Sequence, residues 1–365
     1  MQVRSSIRRK LGAVAIGVVS VATGVAVAMP AATAGSGGPD ALAFVPTSAS
    51  GGRIWLGGAS QTVPLGPHAQ AFAGHFNGDT GGDLFLYNPG SAPDGIVHLG
   101  SGGTTSTKAV SVGGTYRPLV GDFDGNGVDD VFWYAPGAAT DSLWRFNNDG
   151  SHTTVAVNVG GTYLPTVLDA NGDGRDDILW YGPGSVGDSI WLFGPGATTH
   201  VNKAVSIGGS YQIVAGEFGV APAGQPKDRA VFYNPSGADY FWTFDTAANH
   251  TSATLPALDG NYQLFPGQFL EETYGSMFFY GPGSLKEVVW AFGPGTGGDV
   301  AVQSPEQVSG TYTVHVGDYD ANGLTDMAFS SGSTTIVWKT NVEGSHTQVT
   351  VAGLSGASVR TIDMI

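Results

Sequence analysis

Residues 121–137 read GDFDGNGVDDVFWYAPG, a loop rich in acidic residues and glycine that runs directly into an apolar, aromatic segment. The pattern returns 47 residues later as LDANGDGRDDILWYGPG at 168–184, and again as GDYDANGLTDMAFSSG at 317–332. Looser copies occupy 74–90, 216–237 and 267–283. Self-similarity at a fixed period of this length is typical of proteins built from repeated structural units.

Each unit reads as four short strands. Around residue 121 the predicted strands are Tyr116–Phe123, Val131–Tyr134, Ser142–Phe146 and Thr153–Val159, which are rich in β-branched and aromatic residues and bounded by turn-forming residues. The sequence shows no helical periodicity of useful length. Four strands in a repeat of about 47–51 residues are what one blade of a β-propeller requires.

The two ends of the chain predict that the blades close into a ring. Leu42–Pro46, Arg53–Leu56 and Gln61–Leu65 read as the last three strands of a blade that lacks its first, and Ser358–Asp363 resembles the missing strand. We therefore expect an all-β, seven-bladed β-propeller with four-stranded blades, whose first blade is closed by the C-terminal strand. An open solenoid is the alternative, but it would need polar capping repeats. The expected repeats are near 40–73 with the C-terminal strand, then 74–120, 121–167, 168–215, 216–266, 267–316 and 317–357.

Composition supports this fold class. The 365 residues include 58 Gly and 20 Pro, which suit many short strands joined by tight turns better than long helices. Only 12% of the residues are charged, while 18 Phe, 13 Tyr and 8 Trp are available for burial, so a disordered chain is not expected. The absence of Cys excludes a disulfide scaffold, a thiolate zinc site and a thiol nucleophile.

The first 34 residues have the features of an export signal. Four basic residues between positions 4 and 10 precede a small, apolar run over 11–28, and Ala32-Thr33-Ala34 offers small residues at a cleavage site. We expect residues 1–34 to be removed and 35–365 to be secreted; a retained membrane anchor is the alternative. The secreted part has 11 Lys and Arg against 30 Asp and Glu, so it should bind neither nucleic acid nor membrane. The oligomeric state is not predicted.

Three loops between the first and second strands of their units carry oxygen ligands at alternate positions. The predicted metal ligands are Asp122, Asp124, Asn126, the carbonyl of Val128 and Asp130; Asp169, Asn171, Asp173, the carbonyl of Arg175 and Asp177; and Asp318, Asp320, Asn322, the carbonyl of Leu324 and Asp326. Several hard oxygens on one short loop suit Ca²⁺, which accepts about 6–8 oxygens with loose geometry. The alternative is that Asp, Asn and Gly are simply favoured in turns.

The other loops match this pattern less well. The first unit has His75, Asn77, Asp79 and Asp83, with only two carboxylates, and is a possible fourth calcium site. The loops that begin at Glu217 and Gln268 have lost the pattern, and we expect no ion there.

These loops, each followed by an aromatic strand, resemble FG-GAP/VCBS repeats. Such repeats build the calcium-binding seven-bladed head of integrin α subunits and several fungal and bacterial lectins. The resemblance covers nearly all of residues 40–365 and implies calcium coordination by the three loops named above. It carries over no catalytic residue and no ligand-binding residue, and family members serve different functions.

Two aromatic patterns recur along the units. A tryptophan occupies the third strand of six blades, where core packing is expected and sugar stacking between blades is the alternative: Trp55, Trp144, Trp191, Trp242, Trp290 and Trp338. A histidine recurs at the turn into the fourth strand, as part of an exposed edge or of a multivalent site: His152, His200, His250 and His346.

Three functions stay open at the level of sequence. The first is a secreted, calcium-binding module without catalytic activity that recognises carbohydrate or another cell-surface ligand. The second is a polysaccharide lyase or hydrolase that uses acids outside the metal loops, such as Asp94, Asp141, Asp188, Asp239 and Asp299, although the first three recur where a turn role is expected. The third is a protein-binding adhesion scaffold. No hydrolase triad, zinc-protease motif or phosphate loop stands out.

Overall fold

The structure is a computed structural model. It describes residues 13–14, 29–30, 38–48, 51–63, 65–100, 103–137, 139–184, 186–219, 221, 223–270, 275–293, 300–303, 308–341, 345–353 and 357–364. The predicted export signal lies outside the described residues except for two short strands, Ala13–Val14 and Met29–Pro30, which pair antiparallel. Across the described ranges, no helix has the length and apolar character needed to cross a membrane.

Seven four-stranded antiparallel sheets form the blades of a propeller, as predicted. From the innermost strand outward, the blades are: blade 1, Ala357–Ile362, Ala41–Pro46, Gly52–Leu56, Ala59–Val63; blade 2, Gln70–Gly74, Asp83–Tyr87, Asp94–Leu99, Thr105–Val110; blade 3, Arg117–Gly121, Asp130–Tyr134, Asp141–Phe146, His152–Val157; blade 4, Leu164–Leu168, Asp177–Tyr181, Asp188–Phe193, His200–Val205; blade 5, Gln212–Gly216, Arg229–Tyr233, Tyr240–Phe244, His250–Thr254; blade 6, Gln263–Gly267, Ser276–Tyr280, Val288–Phe292, Val300–Gln303; and blade 7, Thr313–Gly317, Asp326–Ser331, Thr334–Thr340, His346–Ala352. A short 3₁₀ turn, Pro195–Ala197, precedes the outer strand of blade 4.

The C-terminal strand closes the ring within blade 1. Ala357–Ile362 pairs antiparallel with Ala41–Pro46, with Ile362 opposite Ala41 and Ser358 opposite Val45. The prediction of a split first blade is therefore confirmed. Because these two strands, which are far apart in the sequence, pair in one sheet, Ala41–Pro46 has no unpaired edge toward the centre of the ring.

The apolar core lies between the blades. In blade 3, every residue of the second strand, Asp130–Tyr134, is buried, whereas the outer strand, His152–Val157, alternates between half-buried and exposed positions. Aromatic rings bridge neighbouring blades: Phe132 of blade 3 meets Trp180 of blade 4 edge-on at 5.6 Å between ring centroids. Second strands read as continuous apolar runs because a neighbouring blade covers each of their faces.

One side chain at the entrance of the second strand ties a blade to the preceding one. Asp176 of blade 4 accepts the Asp122 amide of blade 3 on Oδ2 at 2.7 Å, and its own amide donates to the Asp122 carbonyl at 2.9 Å. The corresponding oxygens of Asp129, Asp228, Thr325 and Asp40 accept the amides of His75, Asp169, Gln268 and Asp318. We call Asp40, Asp129, Asp176, Asp228 and Thr325 the blade latches. They fix the loop between the first two strands of blades 2, 3, 4, 6 and 7 to the neighbouring blade.

A tyrosine at the end of the second strand holds the connection to the next blade. The Tyr134 hydroxyl donates to the Gly161 carbonyl at 2.9 Å and accepts the Tyr163 amide at 2.8 Å. Tyr87 makes the same pair of bonds with Gly114 and Tyr116. The recurrent Gly-Gly-Thr-Tyr segments are therefore the partners of these hydroxyls.

Candidate metal centres

Blade 3 gathers three carboxylates on the loop between its first two strands. Asp122, Asp124 and Asp130 each place one oxygen within 4.8 Å of the others. The loop curls around Asp122, whose carboxylate accepts the amides of Gly125 at 2.9 Å and Gly127 at 2.9 Å. Gly127 has φ +90°, a conformation that favours glycine, and this turn brings the loop back over the acids.

Asp130 is the most perturbed acid of this loop. It is fully buried, its Oδ1 accepts the Phe146 amide at 2.8 Å, and its Oδ2 has no hydrogen-bond partner. Burial, reinforced by the negative charge of Asp124, raises the pKa of Asp130 to about 9. A buried carboxylate oxygen without a donor, beside two further acids, is the arrangement that a bound cation would satisfy.

Blade 7 repeats the arrangement. Asp318, Asp320 and Asp326 also place oxygens within 4.8 Å of one another, and the Asp318 carboxylate accepts the Gly323 amide at 2.8 Å. Burial raises the pKa of Asp326 to about 8, with a further contribution from Asp320. In both loops an asparagine spans the turn: Asn126 Nδ2 donates to the Phe146 carbonyl at 2.7 Å, and Asn322 Nδ2 to that of Thr340 at 2.8 Å.

Blade 4 differs from the other two predicted loops. Asp169 and Asp177 keep their places, and burial raises the pKa of Asp177 to about 9. However, Asp173 forms an ion pair with Arg175, which stands where blades 3 and 7 have Val128 and Leu324. Arg175 Nε also donates to the Phe193 carbonyl at 2.9 Å, the role that asparagine has in the other loops. The Arg175 guanidinium group therefore places a positive charge within this loop.

Blade 2 places an imidazole beside its buried acid. Asp83, buried at the position of Asp130, pairs with the His98 imidazole at 3.0 Å between Oδ1 and Nδ1. The same imidazole nitrogen lies 3.0 Å from Asn77 Nδ2. Asn77 and Asp79 bond to each other through Asn77 Nδ2 and Asp79 Oδ2 at 3.0 Å. In this loop, which the sequence suggests as a fourth calcium site, the side chains of the protein therefore contact one another.

Blades 5 and 6 replace the buried acid altogether. Arg229 occupies the position of Asp130 in blade 5, is 1% exposed, donates from Nη1 to the Phe218 carbonyl and lies 5.9 Å from the Phe241 ring centroid. Ser276 occupies this position in blade 6, and its hydroxyl accepts the Phe269 amide at 2.9 Å. Among the described residues, neither blade thus has an acid at the position of Asp130.

The acids considered for catalysis have structural partners. Asp141 begins the third strand of blade 3, is fully buried, and accepts the amides of Ala135 at 2.7 Å and Val159 at 2.8 Å. Asp94, Asp188 and Asp239 each accept two backbone amides in the same way. Each of these carboxylates therefore ties the loop before the third strand to the segment that follows the outer strand of the same blade. Asp299 lies outside the described residues.

The recurrent tryptophans and histidines form pairs. Trp144 is 7% exposed, and His152 stacks on it with ring centroids 4.1 Å apart and planes 9° from parallel. The same stack joins Trp191 with His200, Trp242 with His250 and Trp338 with His346. Five of the six tryptophans are buried in the core, and Trp338 is half-buried against it. The histidines differ from a simple exposed edge, because each covers an indole face.

A groove opens between the outer parts of blades 3 and 4. It encloses a cavity of about 370 Å³. The blade 3 wall includes Leu143, Val155 and Asn158, and the blade 4 wall includes Ala197 and Thr199. Its lining therefore combines aliphatic surface with amide and hydroxyl groups, and it adjoins the acidic loop of blade 3, because the Gly196 amide beside lining residue Ala197 donates to the Asp124 carbonyl at 3.3 Å.

Comparison with known proteins supports the repeat assignment. Residues 122–180 match the FG-GAP-like repeat family. No curated protein sequence matches the chain. A lectin from Agrocybe aegerita, described as recognising non-reducing terminal N-acetylglucosamine, is similar in structure, with 13% identity, a TM-score of 0.72, and coverage of 92% of this chain and 97% of the lectin. A functionally unknown protein from Desulfotomaculum acetoxidans is similar with 10% identity, a TM-score of 0.54, and coverage of 90% and 100%. These likenesses concern the fold: the described residues form a seven-bladed β-propeller, in which residues 122–180 match the FG-GAP-like repeat family.

Proposed function

We propose that the protein is an exported, calcium-stabilised recognition module that binds carbohydrate without catalysis, and that the groove between blades 3 and 4 is its ligand site. The observation that carries the proposal is the composition of this groove. Aliphatic side chains such as Val155 suit the apolar faces of a sugar ring, while Asn158 and Thr199 supply polar groups for its hydroxyls. A cavity of about 370 Å³ falls in the usual size range of small-ligand sites.

The similar lectin fold supports a binding function, as does the engagement of Asp94, Asp141, Asp188 and Asp239 by backbone amides. The basic, apolar N-terminal segment supports export. Calcium is supported by the carboxylate clusters of blades 3 and 7. Bound there, calcium would supply positive charge to acids that otherwise repel one another and would rigidify the loops.

A glycan array in calcium buffer tests the carbohydrate part. We expect binding to a defined set of glycans that weakens in Asn158→Ala and Thr199→Ala. The matched control is Ser111→Ala, at the position of blade 2 that corresponds to Asn158. If the wild-type protein binds none of the plant, fungal and bacterial glycans on the array, the carbohydrate proposal is wrong. Release of reducing ends or unsaturated sugars would favour a polysaccharide-active enzyme instead.

A further inference from the structure

We propose that the acidic loop of blade 3 regulates the groove between blades 3 and 4: with calcium on its carboxylates, the loop holds the blade 4 turn 194–199 in the shape that binds ligand. The class of ligand rests on the proposed carbohydrate function, whereas the contact between loop and turn does not. The inference assigns the calcium dependence of ligand binding to blade 3 rather than to blade 7.

The turn 194–199 forms one wall of the groove. Ala197, Thr198 and Thr199 line the cavity. The Gly194 amide donates to the Thr199 carbonyl at 3.0 Å, and the Ala197 amide donates to the Gly194 carbonyl at 2.9 Å. Ala197 has φ +46°, a left-handed conformation that residues with a side chain rarely adopt. A turn with this strain keeps its shape only where its surroundings hold it.

Blade 3 holds both polar groups of the Gly196 backbone. The Gly196 amide donates to the Asp124 carbonyl at 3.3 Å. Arg145 donates from Nη1 to the Gly196 carbonyl and from Nη2 to Thr153 Oγ1 at 3.2 Å. Burial raises the pKa of Asp124, and the positive charge of Arg145 acts in the opposite direction. The peptide group at the tip of the turn is therefore supported by a candidate calcium ligand and by a guanidinium group beside it.

An aromatic contact joins the same loop to the groove. Phe123, which lies between the candidate ligands Asp122 and Asp124, is fully buried, and its ring centroid is 5.2 Å from that of Phe193. Phe193 ends the third strand of blade 4 and lines the cavity. A change in the backbone of the loop would therefore reach the groove at two places, the Phe193 ring and the Gly196 peptide group.

Charge on the loop gives this contact a regulatory role. Without a cation, Asp122, Asp124 and Asp130 repel one another, so the loop has less reason to keep the backbone conformation that supports the turn. By linkage, the factor by which calcium raises ligand affinity equals the factor by which ligand raises calcium affinity. The loop of blade 7 provides the comparison, because Tyr319, at the position of Phe123, packs against Trp55 of blade 1 at 6.0 Å.

The first experiment needs no ligand. Hydrogen exchange of the peptide that contains residues 194–199 should be several-fold slower in calcium than in chelator for the wild type. Asp130→Asn should abolish this difference, whereas Asp326→Asn, the matched change in blade 7, should preserve it. A wild-type turn that does not respond to calcium, or an equal response in Asp130→Asn, would overturn the proposal.

The second experiment measures affinity for a glycan that binds on the array. We expect affinity to fall at least about fivefold in chelator and in Asp130→Asn, whereas Asp326→Asn in calcium should bind like the wild type. Equal affinities of the two variants would overturn the proposal. If no glycan binds but calcium slows exchange in the turn, the carbohydrate function fails while the coupling of loop and turn stands. If glycans bind with an affinity that calcium does not change, the carbohydrate function stands while the regulation fails.

Discussion

Asp130 and Arg229 occupy the same place in blades 3 and 5, yet one is a buried acid and the other a buried base. His98 and Arg175 likewise contact acids of the loops in blades 2 and 4. Blades 3 and 7 instead have Val128 and Leu324 at the position of Arg175. An arginine thus supplies positive charge at the loops of blades 4 and 5, and we propose that calcium supplies it in blades 3 and 7.

The first prediction concerns the number of calcium ions. Titration calorimetry of the wild-type chain should find two stronger sites, and Asp130→Asn and Asp326→Asn should each remove one. Arg175→Leu, which copies Leu324, should strengthen binding at blade 4 by about tenfold because it removes the competing guanidinium group. Three equal wild-type sites, or an unchanged titration in Arg175→Leu, would contradict this account.

Calcium removal should lower stability at the same loops. For a Kd of about 10⁻⁴–10⁻³ M, calcium at about ten times Kd stabilises each independent site by ~1.4 kcal/mol. A chelator should therefore lower the melting temperature, and the shift should be roughly halved in Asp130→Asn. Calorimetric melting with and without chelator checks this prediction. An unchanged melting temperature of the wild-type protein in chelator would show that calcium does not occupy these loops.

The second prediction concerns His315, on the innermost strand of blade 7. Burial, with a contribution from Arg360, lowers its pKa from 6.5 to about 3. At a pH between these two values, His315 is protonated in the unfolded chain but neutral in the folded chain. The unfolding free energy therefore decreases as the pH falls below about 6.5. At pH 5 the loss from this group is about 2 kcal/mol relative to pH 7.5.

Urea unfolding in calcium buffer at pH 7.5 and pH 5 measures this loss. His315→Gln should lose about 2 kcal/mol less than the wild type between the two pH values. The control is His68→Gln, on the loop before blade 2, which should lose as much as the wild type. A parallel loss in His315→Gln would show that this imidazole does not govern the acid response.

Among the strands and their connections, the tyrosine hydroxyls have the clearest energetic role. Tyr134→Phe leaves the Tyr163 amide without its acceptor, whereas the Gly161 carbonyl keeps the Gly137 amide, so the third prediction is a loss of about 1–3 kcal/mol in unfolding free energy. The control is Tyr312→Phe, because the Tyr312 hydroxyl makes only an exposed 3.3 Å bond to the Ser309 carbonyl. Equal stability of the two variants in denaturant titrations would count against the assigned role.

The strands were predictable because each repeat combines a buried second strand with a polar outer strand. The pattern of Val131–Tyr134 and Thr153–Val159 predicted the observed Asp130–Tyr134 and His152–Val157. The blade latches were missed, although the doublets Asp129-Asp130 and Asp176-Asp177 were visible. One acid of each doublet faces its own loop and the other bonds to the preceding blade, and that division depends on contacts between repeats. The pairing of Arg175 with Asp173 was also missed, because only its carbonyl was considered.

For the molecule as a whole, Asp40 is the latch that closes the ring. Its Oδ2 accepts the Asp318 amide at 2.7 Å and its Oδ1 accepts the Met364 amide at 3.0 Å, which joins blade 7, the C-terminal segment and blade 1. Asp363 lies close enough for its charge to act on Asp40, and burial with this second acid raises the Asp40 pKa. This buried carboxyl group therefore adds to the pairing of Ala357–Ile362 with Ala41–Pro46 in closing the ring.

The fourth prediction tests this closure. Asp40→Asn should lower the unfolding free energy by about 1–3 kcal/mol, because an amide cannot accept both backbone N–H groups. Hydrogen exchange should accelerate in Thr313–Gly317 and Ala357–Ile362. Asp129→Asn is the matched control, at a latch where the chain is continuous, and it should leave exchange in those two strands unchanged. Unaltered exchange in Asp40→Asn would mean that strand pairing alone closes the ring.

The meeting of Asp40 with Met364 has a further consequence. Since Asp40 and Met364 are hydrogen-bonded, a short linker could join them in a chain that begins at residue 40, and new termini could be placed in an exposed turn such as residues 57–58. Such a circular permutant would retain the strand pairings of the seven blades. The ring is therefore compatible with more than one order of its strands along the polypeptide.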